Sequence, residues 1–231
     1  IMSNKKQISS LQKRQEVTEN VFLFVPNIIG YSRVILAILS LYLMPSNPWT
    51  CMGLYIVSCF LDAVDGNAAR YYNQCSKFGA VLDMVTDRST TSCLLCFLAS
   101  AYKPWAMVFQ LLISLDLSSH YMHMYSSLTA GAASHKQISK SSNPILRAYY
   151  SNNKVLFAFC AFNELFFVAL YLLSFEKTSI GSWKDFSLLH LLALISFPIC
   201  AGKQIINVIQ LISASQSLAK VDIEDRKKTT M

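Results

Sequence analysis

The stretch LDAVDGNAARYYNQCSKFGAVLDMVTDR, Leu61 to Arg88, places Asp62, Asp65, Asp83 and Asp87 in some of the most apolar sequence of the chain. Ionisable side chains are expensive in such surroundings, so a functional site is the first hypothesis for them. Asp62 and Asp65 are three residues apart and Asp83 and Asp87 four apart, so on helices each pair occupies one face. Two such helices joined by a short link run antiparallel, which brings the pairs together near one end. Four facing carboxylates cannot all stay ionised without cations between them. Hard divalent ions with oxygen ligands answer that need, and two of them would balance the charge. Gly66, Ala68, Ala69 and Gly79 are small enough to let a bulky group approach the backbone. A diphosphate is such a group, bridged by two metals and clamped by the planar fork of Arg70. The competing expectation is a set of buried ion pairs between these aspartates and Arg70, Lys77 and Arg88.

The elements that must carry these residues follow from composition. The chain has 231 residues, room for one sizeable domain, of which 53% are hydrophobic and only 14% charged. Its mean hydropathy of +0.38 lies on the membrane side of the soluble average. Six apolar runs, roughly residues 21–44, 49–73, 78–102, 105–128, 155–175 and 186–218, approach or exceed the length of about 20 residues that a helix needs to cross a bilayer. The alternation of a membrane barrel is absent. The expectation is therefore an all-α polytopic membrane protein of six transmembrane helices. Residues 1–20 form an N-terminal segment, 21–218 the membrane domain and 219–231 a C-terminal tail.

Seven cysteines are scattered through the apolar runs, an odd number with no disulfide framework. CLLC at 93–96 has redox-motif spacing but no matching context, and packing explains these residues better. Basic residues fall unevenly between the two sets of connections. Fourteen lie in the N-terminal segment, the second-to-third and fourth-to-fifth connections and the C-terminus, against Lys103, Lys177 and Lys184 on the other side. That bias places both termini in the cytoplasm. The first twenty residues are too polar for a cleaved signal peptide, which leaves the first span as the targeting signal. The net charge of +7 then serves orientation and attraction to anionic lipid. No basic motif interleaved with aromatics argues for nucleic acid. Residues 129–153 form the one long connection, a Ser-rich loop whose ILRAYY end could dock on the bundle.

The aspartate stretch resembles the signature of the CDP-alcohol phosphatidyltransferases, D-x2-D-G-x2-A-R-x8-G-x3-D-x3-D. Every fixed position is met: Asp62, Asp65, Gly66, Ala69, Arg70, Gly79, Asp83 and Asp87. FVPNIIGYSR at 24–33, SLDLSSHYMHMYSSL at 114–128, SHK at 134–136 and FNELF at 162–166 extend the resemblance to one branch, the eukaryotic phosphatidylinositol synthases, the fungal members above all. The resemblance implies transfer of the phosphatidyl group of CDP-diacylglycerol to myo-inositol with release of CMP, by two-metal chemistry using Mg2+ or Mn2+. Asp62 and Asp65 would hold one ion, Asp83 would bridge both, and Asp87 would complete the second. Asp62 is also placed to touch both ions. Asp87 would in addition take the proton of the attacking inositol hydroxyl. Gly66, Arg70 and Ser76 would contact the CDP-diacylglycerol head group. The branch further implies an integral protein of the endoplasmic reticulum with its active site facing the cytoplasm, and membership in a family that is often homodimeric.

Other residues carry expectations of their own. Asp116, His120 and His123 recur at helical spacing on one face, where a separate metal site or a polar cavity wall could form. Donors and acceptors for an uncharged polyol, with His120 and His123 facing inositol or supporting the aspartates, suit them better. Asn27 and Arg33 could reach the nucleotide or the cluster, since an intramembrane Arg wants a carboxylate or phosphate partner; the plainer expectation is a helix start and a packing charge. Lys136 and Arg147 could cover the head group, or be ordinary basic loop residues. Glu164 is expected to pair inside the bundle, with Lys203 as a candidate partner. Rival functions are the same transfer to serine, glycerol phosphate or another alcohol, an intramembrane prenyltransferase and a divalent-cation transporter. Prenyltransferase aspartate clusters lie far apart in sequence, and a transporter site belongs at mid-bilayer beside a broken helix.

Overall fold

The computed structural model describes residues 20–129, 144–176 and 187–229, and these are helical almost throughout, with no strand among them. Seven α-helices follow one another: α1 (Val25–Leu43), α2 (Pro48–Tyr71), α3 (Lys77–Ala101), α4 (Ala106–Thr129), α5 (Pro144–Ser151), α6 (Asn153–Leu173) and α7 (Leu188–Thr229). Single 3-10 turns at Val21–Leu23 and Lys103–Trp105 precede α1 and α4. Six long helices thus occupy the six apolar runs.

Local chemistry accounts for where the helices begin and end. Pro26 and Pro48 stand in the first turns of α1 and α2, where a missing N–H costs nothing. Ser76 caps α3 by accepting from Gly79 N at 2.9 Å, and Asn152 caps α6 by accepting from Lys154 N and Val155 N. Between α2 and α3 the chain turns through Asn73, whose φ of 53° is in the left-handed region that asparagine tolerates. Pro198 lies inside α7 and removes one backbone donor there.

Three helices satisfy length and hydropathy for crossing a membrane: Val25–Leu43, Lys154–Leu173 and Leu188–Lys227. Helices α2, α3 and α4 are equally long, but they carry the charged and polar side chains of the site. Large apolar residues such as Ile35, Ile38, Leu111, Leu194 and Ile205 point outward, as lipid-facing surfaces require. At 42 residues, α7 is about 63 Å long, twice the ~30 Å hydrocarbon core. It continues without a break past residue 218, so the described part of the expected tail extends this helix.

Packing places α1 against both α2 and α3, while α2 and α3 share few close backbone approaches with each other. This differs from the direct pairing of the two aspartate-bearing helices that their short link suggested. The circuit continues α3 to α4, α4 to α7 and α7 to α6, with α6 returning to α3 and α2. A core of Met44, Cys51, Tyr55, Leu94, Leu95, Leu98, Phe109, Phe167 and Tyr171 fills the end where α1 stops and α2 starts. Tyr171 there donates to Met44 O at 2.8 Å and Tyr102 to Leu170 O at 2.8 Å. The aspartates belong to the other end. All seven cysteines are free.

The segment expected as a long loop contains α5. Its Leu146 and Tyr149 are buried against Ile206 of α7, so the hydrophobic end of that connection does dock on the bundle. Lys136 lies outside the described residues.

Candidate active site

Asp62 and Asp65 come from the last turns of α2, and Asp83 and Asp87 from the first half of α3. One carboxylate oxygen each from Asp62, Asp83 and Asp87 lies within 4.8 Å of the others. At their centre is Arg33 of α1, only 2% exposed. Its Nη2 meets Asp62 Oδ1 at 2.9 Å and also Asp87 Oδ1, while its Nη1 meets Asp65 Oδ2 at 2.7 Å and Asp83 Oδ1 at 2.8 Å. One guanidinium thus binds one oxygen of every carboxylate in the set.

Two consequences follow from this geometry. Four carboxylates facing one guanidinium leave a formal excess of three negative charges in a weakly screened place. Arg33 Nε is itself buried without a hydrogen-bond partner, so the cage is not fully satisfied on the arginine side either. An all-oxygen donor set with surplus negative charge fits hard divalent cations, and Asp62, Asp65, Asp83 and Asp87 are the residues that would hold them. Exposure is graded across the site: the Asp62 and Asp87 side chains are 39% and 35% exposed, those of Asp65 and Asp83 only 11% and 19%. Asp62 and Asp87 therefore form the open side, where substrate would arrive.

Of the ion pairs expected as the alternative, only a long one between Arg88 and Asp87 forms among the described residues. Arg70 donates instead to Asn67 Oδ1 at 2.7 Å, on the exposed last turn of α2. Lys77 makes no ion pair among the described residues. Arg88 turns away, donating to both oxygens of Asp116 on α4 at 3.0 and 3.1 Å, with its Nη2 3.8 Å from Asp87 Oδ2. The cation that serves the cluster comes from α1, and only its apolar surroundings signalled it in the sequence.

The remaining candidates are distributed around this centre. At Gly66 a Cβ would meet nothing closer than the Arg70 guanidinium, 3.7 and 3.9 Å away, so the backbone there is open beside Arg70. At Gly79 a Cβ would come within 2.6 Å of Asn27 Oδ1 and 3.1 Å of Ser76 Oγ. The group that approaches this glycine is thus Asn27, fully buried, whose Nδ2 donates to Val21 O at 2.6 Å. Asn27 consequently joins the starts of α1 and α3. Ser76 spends its hydroxyl on the helix cap, six residues after Arg70.

Asp116, His120 and His123 do share one face of α4, but the structure divides them. His120 Nδ1 lies 2.8 Å from Asp116 O and 3.5 Å from Asp116 Oδ1. His123 stacks on Tyr150 of α5, centroids 5.7 Å apart and 10° from parallel. Tyr150 in turn donates to Gln210 of α7 at 2.9 Å, and Asn207 of α7 reaches Asp116 at 3.4 Å. Arg88 joins this polar wall to Asp87. Glu164 is bound by the Tyr55 hydroxyl and by Thr91 Oγ1 at 3.0 Å, whereas Lys203 donates to Asn207 at 2.9 Å, so the expected Glu164–Lys203 pair is replaced by neutral donors. Tyr55, Thr91 and Gln210 lie in apolar sequence without a spacing signal, whereas Tyr150 belongs to the ILRAYY end expected to dock.

The family model of the CDP-alcohol phosphatidyltransferases matches residues 23–213, which takes in every helix of this arrangement up to the last part of α7. The chain belongs to the CDP-alcohol phosphatidyltransferase family. Within that family it is 53% identical to the CDP-diacylglycerol–inositol 3-phosphatidyltransferase of Schizosaccharomyces pombe, over 93% of this chain and 97% of the relative. It is 48% identical to the Rattus norvegicus enzyme of the same name, over 91% of this chain and 98% of the relative. The Saccharomyces cerevisiae enzyme is 47% identical, over 94% and 96% respectively. No solved structure matches.

Proposed function

We propose that this member of the CDP-alcohol phosphatidyltransferase family is a phosphatidylinositol synthase, joining myo-inositol to the phosphatidyl group of CDP-diacylglycerol and releasing CMP. The observation that carries this reading is the convergence of Asp62, Asp65, Asp83 and Asp87 on one point, in a chain 47–53% identical over nearly its whole length to three relatives bearing that name.

Dependence on divalent metal is general in this family, and the donor set suits two ions, magnesium or manganese. When bound, they would neutralise the diphosphate and polarise its bridging P–O bond. The chain's own residues do the rest. Arg70, beside the open backbone of Gly66, is placed to fork a phosphate oxygen of the head group, with Ser76 at the opposite side of the turn. Asp87, on the exposed side of the cluster, takes the proton of the inositol hydroxyl as its oxygen attacks the β-phosphorus. An inositol O–P bond forms, the diphosphate P–O bond breaks, and CMP leaves with the bonding electrons. Inositol would contact the polar wall that carries His120 and His123.

The same reading sets all six long helices across the endoplasmic reticulum membrane with both termini in the cytoplasm. In that arrangement Arg70 and Lys77 mark the cytoplasmic end, so the cluster opens to soluble inositol while lipid enters from the side. A homodimer would cover part of the exposed apolar surface. The test is CMP release from CDP-diacylglycerol by membranes containing the protein. Release that requires inositol and stops with chelator supports the proposal. Release that follows serine or glycerol phosphate instead reassigns the acceptor.

A further inference from the structure

Arg33 is the residue whose placement is least explained by the transfer reaction. It lies in the middle of α1, away from the signature, is 2% exposed, and contacts all four carboxylates through one oxygen each. A buried arginine serving only as a brace would normally be matched in charge and have its N–H groups paired. Here one guanidinium contacts four carboxylates, with Arg88 the one further cation near them at 3.8 Å from Asp87 among the ion pairs of the described residues, and Arg33 Nε has no partner. Its two terminal nitrogens occupy the shared space among the carboxylates, where an ion bound by the same oxygens would be its near neighbour.

We propose that Arg33 is a resident counter-ion of the cluster: it holds the four carboxylates together when no divalent ion is bound, and by competing for the same oxygens it lowers their affinity for metal. This inference rests on the divalent-ion reading of the site. Like charges a few ångströms apart in a weakly screened interior repel strongly, so removing the guanidinium removes a penalty on every ion that enters. The same removal leaves the four carboxylates repelling one another until an ion arrives. Arg33 is in this sense a positioning residue: it sets how much metal the protein requires, without touching the reacting atoms.

The test compares the full chain in detergent as wild type, Arg33→Gln and Arg33→Lys, by thermal unfolding in chelator and by Mn2+ titration followed by electron paramagnetic resonance. In chelator, Arg33→Gln should unfold at a lower temperature than wild type, with Arg33→Lys between them because it keeps the charge but not the fork. Added Mn2+ should raise the unfolding temperature of Arg33→Gln more than that of wild type. Its Mn2+ affinity should be tighter by at least roughly tenfold. Unchanged or weaker Mn2+ binding in Arg33→Gln, beside wild type that binds, would overturn the counter-ion role alone. So would a variant that stays unfolded even with Mn2+ present, since the arginine would then be a brace no ion can replace. Wild type that neither binds Mn2+ nor is stabilised by it would overturn the divalent-ion reading itself, and this proposal with it.

Discussion

Two buried ionic groups lie side by side in this bundle and are built on opposite principles. Around Arg33, four carboxylates share one cation. A few ångströms away, Asp116 binds Arg88 through both oxygens, with Arg88 Nη2 also 3.8 Å from Asp87, and Glu164 is satisfied by the hydroxyls of Tyr55 and Thr91. The second group is closed in its hydrogen bonds: Asp116 meets a bidentate arginine and Glu164 neutral hydroxyl donors, all within the protein. The first is open, short of positive charge on one side and of a hydrogen-bond acceptor on the other. A matched buried pair serves structure. A mismatched one persists because something else completes it, which is why the mismatch, rather than the mere presence of buried acids, marks the site.

The comparison can be broken by exchanging single charges. The largest effect is expected at the open group: Asp87→Asn keeps size and packing but removes the proton acceptor, and turnover should fall by roughly 10²- to 10⁴-fold or more. The fold and some binding of the nucleotide lipid should remain, which an unfolding curve and a binding assay beside the activity assay will show. Activity like that of wild type would dismiss Asp87 as the base.

Next comes the bridge between the two groups. Arg88→Met leaves Asp116 buried without its cation and should cost about 3–5 kcal/mol of stability. The double variant Arg88→Met with Asp116→Asn should recover much of that loss, measured as a double-mutant cycle in unfolding. Failure to recover would mean that the pair is not the closed unit described here.

A smaller effect is expected at the polar wall beside the closed group, proposed above as the inositol contact. His120→Ala or His123→Ala should raise the inositol KM several-fold with little change in kcat, the pattern of lost binding common to ground and transition states. An unchanged inositol KM in both would remove these histidines from the acceptor site. The smallest effect on activity is expected for Glu164→Gln, which keeps one acceptor oxygen and loses the other, a change of about 1–2 kcal/mol in stability with activity preserved. A large activity loss there would show that Glu164 belongs to the open group after all.

Much of this was legible along the chain. The six apolar runs mark the six long helices, since a continuous run of apolar residues has few other uses at that length. The docking of ILRAYY was readable because Leu146 and Tyr149 fall on one side of a short amphipathic turn. Direct pairing of α2 with α3 was misleading, because a short link between helices fixes their order but not the distance between them. The partner of Glu164 was likewise inaccessible: a lone acid in an apolar helix accepts a tyrosine or threonine hydroxyl as readily as a lysine, and no spacing distinguishes them.

By itself, then, the order of residues determined the helical class, the face on which each aspartate pair sits and, through the signature, the family to which the chain belongs. These properties depend on intervals of three or four residues, which the helix converts directly into direction. Only the tertiary structure decided that Arg33 would be the common partner, 32 residues from Asp65 and 54 from Asp87, and that Arg88, adjacent to Asp87, would face Asp116. Which cation meets which carboxylate depends on how α1 lies between two helices. That placement is set by the summed packing of all their faces, a quantity no local interval contains.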